Sequence, residues 1–270
     1  MPGSRLYLAI QTVLPPDYRR DPAFGRSLEA LREAGFDGVE LNISDPLGED
    51  PQALAGFLRE FGLSFSMLAT GLAAKAQGLS LATTDEARRQ EAVRWTAGSL
   101  AFASRIGGGV IAGFLKGAMA ESSPAHREQL RRSIAELAPE ARRLETPFLV
   151  EAVNRFESPL GHSLAEVDEL IGENANPFVQ ILPDTWHMSI EEEHIEASLV
   201  RYRERFSSLH LSDNNRFFPG RGGLDFGRII GVLESMGYQG KLAVEGNVKT
   251  TFIEDARRSA AYLRAVMGAG

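Results

Sequence analysis

Three acidic residues and one histidine stand at or near the ends of four apolar runs in the second half of the chain. Glu151 closes PFLVE, Asp184 closely follows FVQIL, His210 lies in SSLHL, and Glu245 closes KLAVE. Three carboxylates and one imidazole form a ligand set that suits Mn²⁺, Mg²⁺ or Co²⁺ in an open site. Three carboxylates brought to one place without a cation would repel each other strongly. The pattern therefore predicts a divalent metal site, provided that the fold brings the four residues together.

The fold that would do so is indicated by eight short apolar runs, which are separated by helical patterns. Their length and β-branched content are typical of strands buried on both faces of a parallel sheet. In a (β/α)8 barrel the carboxyl ends of all strands meet at one rim, where catalytic groups lie. The runs are LYLAI (6–10), DGVEL (37–41), FSMLA (65–69), GVIAGFL (109–115), PFLVE (147–151), FVQIL (178–182), SSLHL (207–211) and KLAVE (241–245).

Helical patterns over 27–36, 51–62 and 229–240 contain the stop signals Gly35, Gly62 and Gly237. Longer helices are predicted over 85–105 and 128–143. This alternation predicts one (β/α)8 TIM barrel spanning residues 1–270. A doubly wound open sheet is the competing fold, but no GxGxxG motif follows the first strand. The longest connection, residues 70–84, is rich in Gly, Ala and Ser and is predicted to be a mobile loop or lid.

Composition narrows the function classes. The 270 residues are 43% hydrophobic and include no cysteine, which excludes disulfides and thiolate chemistry and favours a cytoplasmic location. A net charge of -7 without a basic face makes nucleic acid an unfavoured partner. Since no run of about 18 apolar residues occurs, no membrane span is predicted. The N-terminal apolar run is interpreted as the first strand and not as a signal peptide.

Four segments carry a resemblance to a known family. VEAVNRFE, LPDTWHMSIEE, HLSDNNRFFPGRG and AVEGN occur in this order. They resemble the signature segments of the ketose 3-epimerases for D-tagatose, D-psicose and L-ribulose, which are xylose isomerase-like TIM barrels. The likeness is close in the C-terminal half and looser in residues 1–146. It implies a small-molecule sugar substrate, and either a homodimer or a homotetramer would be in keeping with the family.

The resemblance also implies roles for individual residues. Glu151, Asp184, His210 and Glu245 would hold one divalent metal ion per chain, with Mn²⁺ expected before Mg²⁺ or Co²⁺. Glu151 and Glu245 would also be the catalytic acid and base on opposite sides of the substrate's C3. The three residues that would contact the sugar are Glu157, His187 and Arg216.

These residue types suit the reaction. A proton on C3 of a ketose is weakly acidic, because the neighbouring C2 carbonyl stabilises the carbanion as an enediolate. One glutamate can remove that proton while the other returns a proton to the opposite face, which inverts the centre. His187 and Arg216 could donate hydrogen bonds to the developing oxyanion. Glu157 could accept from a hydroxyl group or hold one of these two side chains in place.

Other functions on the same scaffold stay open at this stage. The alternatives are a sugar-phosphate epimerase, an aldose–ketose isomerase and an inosose isomerase or dehydratase. A phosphate group would be bound by the Gly220–Gly223 loop with Arg221, although a loop leading to a helix capped at Asp225 is the simpler interpretation. A DNA-repair endonuclease would need a trinuclear zinc site and more than the five histidines present. A non-catalytic sugar-binding barrel would have no use for two acid–base glutamates.

Three further residues at the predicted rim have two interpretations each. Glu40 closely precedes the end of the second run and is predicted to be an ordinary polar strand end, with a role beside the metal site or a contact with the substrate as the alternatives. Lys116 either contacts a substrate group or is solvated. Trp186 either packs in the core or lines the mouth of the barrel.

Overall fold

Eight parallel strands alternate with ten α-helices over residues 6–268, the part of the chain that the computed structural model describes. This confirms the predicted (β/α)8 barrel. That residues 1–270 form one domain stays a prediction, because residues 1–5 and 269–270 lie outside the described part. The strands are β1 (Tyr7–Val13), β2 (Gly38–Asn42), β3 (Ser64–Ala69), β4 (Val110–Ala112), β5 (Phe148–Glu151), β6 (Val179–Leu182), β7 (Ser208–Leu211) and β8 (Lys241–Val244).

The helices follow the strands and pack outside them. They are α1 (Pro22–Glu33), α2 (Pro51–Glu60), α3 (Gly71–Gln77), α4 (Glu86–Ser104), α5 (Pro124–Arg143), α6 (Leu164–Ile171), α7 (Thr185–Glu191), α8 (Ile195–Arg201), α9 (Phe226–Ser235) and α10 (Phe252–Met267). Short 3₁₀ turns cover Phe114–Lys116, Gly172–Asn174 and Arg203–Arg205. No helix in the described region combines the length and the apolar character needed to cross a bilayer.

Side-chain caps and glycines set the helix boundaries. Asp21, Asp50 and Asp85 each accept hydrogen bonds from backbone N–H groups in the first turns of α1, α2 and α4. Such caps satisfy amide groups that have no partner within the helix. The predicted stop signals after α1 and α2 are left-handed, with φ of 94° at Gly35 and 69° at Gly62, a conformation that glycine adopts without steric cost.

The strands pair in the order β6-β5-β4-β3-β2-β1-β8-β7, so β6 and β7 are the two edges of the sheet. The edges meet through a bridge between Asp184 and His210 and a hydrogen bond of 2.9 Å from the His210 N–H to the Pro183 carbonyl. Thr185 Oγ1 adds a hydrogen bond of 2.7 Å to the Ser212 carbonyl and accepts from the Ser212 N–H at 2.8 Å. These contacts close the barrel along what we call the β6–β7 seam.

Two details of the sequence prediction are wrong. Residues 70–84 are not one loop, because α3 occupies Gly71–Gln77 and ends at the left-handed Gly78. The predicted fourth strand, 109–115, is a strand only over Val110–Ala112 and then turns into a 3₁₀ helix.

A small cluster of buried side chains lies on the inner face of the barrel, separate from the main core between strands and helices. Leu149 belongs to this cluster and lies two residues before Glu151, so the two side chains share one face of β5. The apolar residues thereby form a floor beneath the rim where the predicted ligands lie. The members are Met67, Ile111, Leu149 and Leu182.

Candidate active site

The four predicted metal ligands come together at the carboxyl ends of the last four strands. Each offers one ligand atom, and these atoms all lie within 4.8 Å of one another. Glu151 is the last residue of β5, Asp184 precedes α7, His210 lies in β7, and Glu245 directly follows β8. Within residues 6–268 this is the one group of three or more such side chains with suitable spacing.

Asp184 is held in position by the start of α7. Its Oδ1 accepts hydrogen bonds from the backbone N–H groups of Trp186, at 2.8 Å, and His187, at 3.2 Å. Its other oxygen, Oδ2, is 2.7 Å from Nη1 of Arg216 and 3.7 Å from Nδ1 of His210. One carboxylate therefore caps a helix with one oxygen and presents the other to the site.

His210 is oriented by carboxylates on both sides of its ring. Nδ1 lies 3.1 Å from Oε1 of Glu151 and 2.7 Å from Oε2 of Glu245, so this nitrogen faces the cluster. Nε2 lies 3.0 Å from Oε1 of Glu40, which is fully buried and accepts a hydrogen bond from Nε2 of Gln11 at 2.6 Å. A carboxylate behind a ligating histidine fixes the ring and strengthens it as a ligand. The prediction of Glu40 as an ordinary strand end is wrong.

The two predicted acid–base residues have different electrostatic surroundings. Burial raises the pKa of Glu151, although His210 opposes this rise. Burial would also raise the pKa of Glu245, but Arg216 and His210 outweigh it and hold that pKa below its usual range. Burial lowers the pKa of His210, yet Glu40 and Glu245 raise it well above the ordinary value. The cluster thus favours positive charge at its centre.

The residues present fit a divalent cation. Nδ1 of His210 faces carboxylate oxygens of Glu151, Asp184 and Glu245 at 3.1, 3.7 and 2.7 Å, so the four side chains converge on one point. Three carboxylates and one imidazole are the ligand types that Mn²⁺, Mg²⁺ and Co²⁺ accept. Space for the Glu151 carboxylate depends on Gly113, where a Cβ atom would come within 2.2 Å of Oε2 of Glu151.

His187, a predicted sugar contact, is buried and held in one tautomer. Its Nδ1 accepts a hydrogen bond of 3.1 Å from the Asn154 backbone N–H and lies 2.8 Å from Nδ2 of the same residue. Burial lowers the pKa of His187 to about 4, so the ring is neutral at pH 7. Because Nδ1 is an acceptor, the proton of the neutral ring lies on Nε2, which is left as a donor.

Arg216, the second predicted sugar contact, lies directly beside the cluster. Its guanidinium donates hydrogen bonds of 2.7 Å to Oδ2 of Asp184 and to Oε1 of Glu245. It also stacks on Trp186 at 4.6 Å from the ring centroid, so Trp186 lines the mouth of the barrel and does not belong to the core. Burial lowers the pKa of Arg216, but Glu245 and Asp184 raise it above its ordinary value. The backbone of Arg216 is left-handed, with φ of 60°.

Glu157, the third predicted sugar contact, is half-buried and stands apart from the other two. Burial raises its pKa, while the Arg216 charge lowers it. No hydrogen bond in the described structure joins its carboxylate to Arg216 or His187. Glu157 instead lines a cavity of about 630 Å³ that adjoins the metal-ligand cluster.

The cluster itself opens into a smaller cavity of about 300 Å³. Glu151, His210 and Glu245 form its floor, and Gln11 and Asn42 from the first two strands form part of its wall. The amide groups of these two residues are joined by a hydrogen bond of 2.9 Å. We call this space the inner cavity and its larger neighbour the outer chamber.

Lys116 is fully buried, so both interpretations offered for it are wrong. Its ammonium group donates hydrogen bonds to the backbone carbonyls of Glu151 and of Gly161, the latter at 3.0 Å. Burial lowers the pKa of Lys116 to about 7. The residue ties the end of β5 to a following loop and does not face solvent.

The Gly220–Gly223 loop does not offer a free anion site. Its backbone N–H groups already point at Oδ2 of Asp213, at 3.1 Å from Gly220, 3.1 Å from Arg221 and 2.7 Å from Gly222. A Cβ atom at Gly222 would come within 2.4 Å of Asp213, so this packing requires glycine. Arg221 is paired with Asp255. The phosphate-binding interpretation is wrong, whereas the predicted cap at Asp225 is confirmed.

The sequence matches one known protein family over most of its length. The family model described as xylose isomerase-like TIM barrel matches residues 28–266. The chain belongs to this family.

Individual relatives within this family carry names of specific activities. L-ribulose 3-epimerase from Mesorhizobium japonicum is 29% identical over 224 residues, which cover 82% of this chain and 74% of that protein. 3-Dehydro-D-guloside 4-epimerase from Escherichia coli is 34% identical over 139 residues, which cover 51% of this chain and 53% of that protein. The apo crystal structure of a 3-keto-D-glucoside 4-epimerase from E. coli superposes with a TM-score of 0.80 at 25% identity and covers 97% of this chain and 100% of that one. These relatives are sugar epimerases, which confirms the predicted isomerase class.

Proposed function

We propose that this protein is a divalent-metal-dependent sugar epimerase that inverts a hydroxyl-bearing carbon next to a carbonyl, with C3 of a ketose as the first candidate. The observation that carries the proposal is the cluster of Glu151, Asp184, His210 and Glu245, three of which line a cavity of about 300 Å³. Its two glutamates stand at the carboxyl ends of β5 and β8, with β6 and β7 between them around the barrel. They are available as acid and base on a carbon held between them.

The protein's own groups would divide the reaction as follows. One of Glu151 and Glu245 takes the proton from the carbon next to the carbonyl, and the other returns a proton to the opposite face. The Nε2–H of His187 and the guanidinium of Arg216 are the donors for the oxygen that gains negative charge. A divalent ion held by the cluster would supply Lewis-acid stabilisation of that charge, worth several kcal/mol. Mn²⁺ is the ion we propose, with Mg²⁺ and Co²⁺ as alternatives.

The relatives support this assignment in their names, since both an L-ribulose 3-epimerase and a keto-sugar 4-epimerase are similar to this chain. A cytoplasmic location and a homodimer or homotetramer stay predictions from the composition and the family resemblance.

A second candidate substrate would undergo the same inversion at a different carbon of the sugar. In a glycoside with a carbonyl at C3, C2 and C4 both carry an exchangeable proton and a hydroxyl, and two facing glutamates would invert C4 in the same way as C3 of a ketose. The observation that favours this candidate is the likeness to the 3-keto-D-glucoside 4-epimerase along its full length.

The test follows proton exchange. Metal-stripped protein is reloaded with Mn²⁺ and incubated in D₂O with D-fructose, D-tagatose, L-ribulose and D-xylulose, and in parallel with methyl 3-keto-β-D-glucoside. Proton NMR then identifies the carbon that gains deuterium, and chromatography identifies the product. The proposal predicts Mn²⁺-dependent exchange at C3 of a ketose or at C4 of the keto-glucoside, together with the matching epimer. Exchange confined to C1 of the ketoses would instead indicate an aldose–ketose isomerase.

A further inference from the structure

The outer chamber adjoins the inner cavity, and the reaction on one sugar ring leaves it without a role. It has a volume of about 630 Å³, within the range of cavities that hold sizeable organic ligands. Most of its walls come from the segments after β3 and β4 and from the first turn of α4, in the half of the chain that does not supply the metal ligands, and Glu157 after β5 completes them.

The two spaces meet at a junction formed by shared wall residues. Gly71, Lys75 and Phe114 line both of them. The Phe114 ring packs on Gly71, where a Cβ atom would lie 3.2 Å from Cδ2 of the ring, and 49% of Phe114 is exposed. A group attached to a sugar in the inner cavity would therefore pass over the face of Phe114 to enter the chamber.

The wall of the chamber combines an apolar surface with two cationic side chains that can donate hydrogen bonds. Ala74, Leu79, Phe114 and Met119 supply the apolar part. Lys75 and Arg88 also line it, and within the described residues neither side chain has a hydrogen bond or an ion pair. A sugar ring matches such a wall, because its C–H face packs on aromatic and aliphatic groups while its hydroxyls accept hydrogen bonds.

We propose that the outer chamber is a subsite for a second ring carried by the substrate, so that the substrate class is a glycoside and not a free monosaccharide. The reacting keto-sugar lies between Glu151 and Glu245, and its partner ring, either a sugar or an aromatic aglycone, lies against Phe114 and Met119. Lys75, at the junction, is placed to reach the linking oxygen or a hydroxyl beside it. The inference rests on the proposed epimerase function.

The test compares substrates that differ only beyond the reacting ring. Mn²⁺-loaded protein is given methyl, phenyl and glucosyl 3-keto-β-D-glucosides in D₂O, and kcat/KM for deuterium incorporation at C4 is measured by proton NMR. We expect kcat/KM for the phenyl or the glucosyl substrate to exceed that of the methyl substrate at least tenfold, which corresponds to about 1.4 kcal/mol of added binding. The two larger substrates distinguish an aromatic aglycone from a second sugar.

A variant that fills the chamber completes the test. Met119 is 55% exposed and lines the chamber but not the inner cavity, so Met119→Trp narrows the chamber alone. The variant is expected to remove the tenfold preference and to change the methyl substrate less than threefold. Val200→Trp, at a residue of α8 that is 42% exposed and lies outside the chamber, is the matched control and should keep the preference.

The outcomes separate the two proposals. Equal rates for all three glycosides, or equal loss for all three in Met119→Trp, would overturn the subsite while leaving the epimerase in place. Ketose exchange at C3 without any exchange on the glycosides would also overturn the subsite. Absence of exchange with every ketose and glycoside would overturn the proposed function and the subsite with it.

Discussion

The two halves of the barrel are built differently around one cavity. In the half formed by β5–β8, each predicted ligand is fixed by neighbouring contacts, as Asp184 is by the N–H groups of α7 and by Arg216. In the half formed by β1–β4, the side chains around the outer chamber, such as Phe114 and Met119, are about half exposed. Held groups suit proton transfer, which requires fixed geometry, whereas loosely held walls suit recognition. Under the proposed function, the second half would supply the acid–base groups and the predicted sugar contacts, and the first half most of the wall of the outer chamber.

Glu40 and Lys116 qualify this division. Both belong to the first half, yet both are fully buried and support ligands from the second, Glu40 through the ring of His210 and Lys116 through the carbonyl of Glu151. The first half thus contributes positioning residues as well as a wall.

The largest effect is expected from replacing the proposed acid–base residues of the second half. Glu245→Gln and Glu151→Gln keep an oxygen near the cluster but cannot exchange a proton, so turnover should fall by about 10²–10⁴-fold. Deuterium exchange at the reacting carbon measures the loss, and metal analysis of the purified variants shows whether the ion is still bound. Glu157→Gln is the control and should lose far less. Full activity of metal-loaded Glu245→Gln would exclude the two-base mechanism.

A smaller effect is expected from replacing Glu40, which lies in the first half and contacts His210 in the second. Glu40→Gln removes the charge behind His210, so affinity for Mn²⁺ should fall about 10–100-fold. Competition with a fluorescent chelator measures this affinity. Glu33→Gln is the matched control, because Glu33 forms a surface ion pair with Arg257. Unchanged affinity in Glu40→Gln would confine the metal site to the second half.

The third prediction concerns stability. Lys116→Met leaves two buried carbonyl groups without their donor, which should cost about 1–3 kcal/mol of the free energy of unfolding. Urea denaturation measures the change. Lys75→Met, on the exposed face of α3, should stay within about 0.5 kcal/mol of the parent protein. If both variants matched the parent, Lys116 would have no supporting role.

The smallest effect is a pH dependence in the second half. Burial opposes ionisation of Asp255, but hydrogen bonds from Thr250, Lys249 and Arg221 lower its pKa to about 2. A carboxyl group with a lowered pKa stabilises the fold above its unfolded pKa of about 4, and this contribution is lost as pH falls through about 2. Asp255→Asn should therefore lose about 1–2 kcal/mol at pH 7 and progressively less from pH 4 downward.

Urea titrations at pH 7 and pH 3 measure this convergence, with the exposed Asp17→Asn as the control. A constant difference between Asp255→Asn and the parent protein at both pH values would show that the lost stability does not come from ionisation.

The fold and the ligand cluster were predictable because they depend on local patterns. A buried parallel strand appears in the sequence as a short apolar run. Because the carboxyl ends of all strands meet at one rim, a carboxylate at the end of such a run, such as Glu151, lies at that rim. The roles of Glu40 and Lys116 were not predictable in this way. Glu40 meets His210 across the barrel, and Lys116 donates to backbone carbonyls of distant segments, and neither contact leaves a signal in the local sequence. The short helix α3 was missed because its Gly- and Ala-rich sequence lacks the periodicity of longer helices.

The β6–β7 seam and the predicted metal site share two residues. Asp184 and His210, which bridge the two edges of the sheet, are also two of the four predicted ligands. An ion bound by both would add one more link across a seam that hydrogen bonds already close. Ligand binding adds to the stability of the folded state by mass action, by about 2.7 kcal/mol at a hundredfold excess over Kd. A cation held by the predicted ligands would thus also stabilise the closed barrel at the β6–β7 seam.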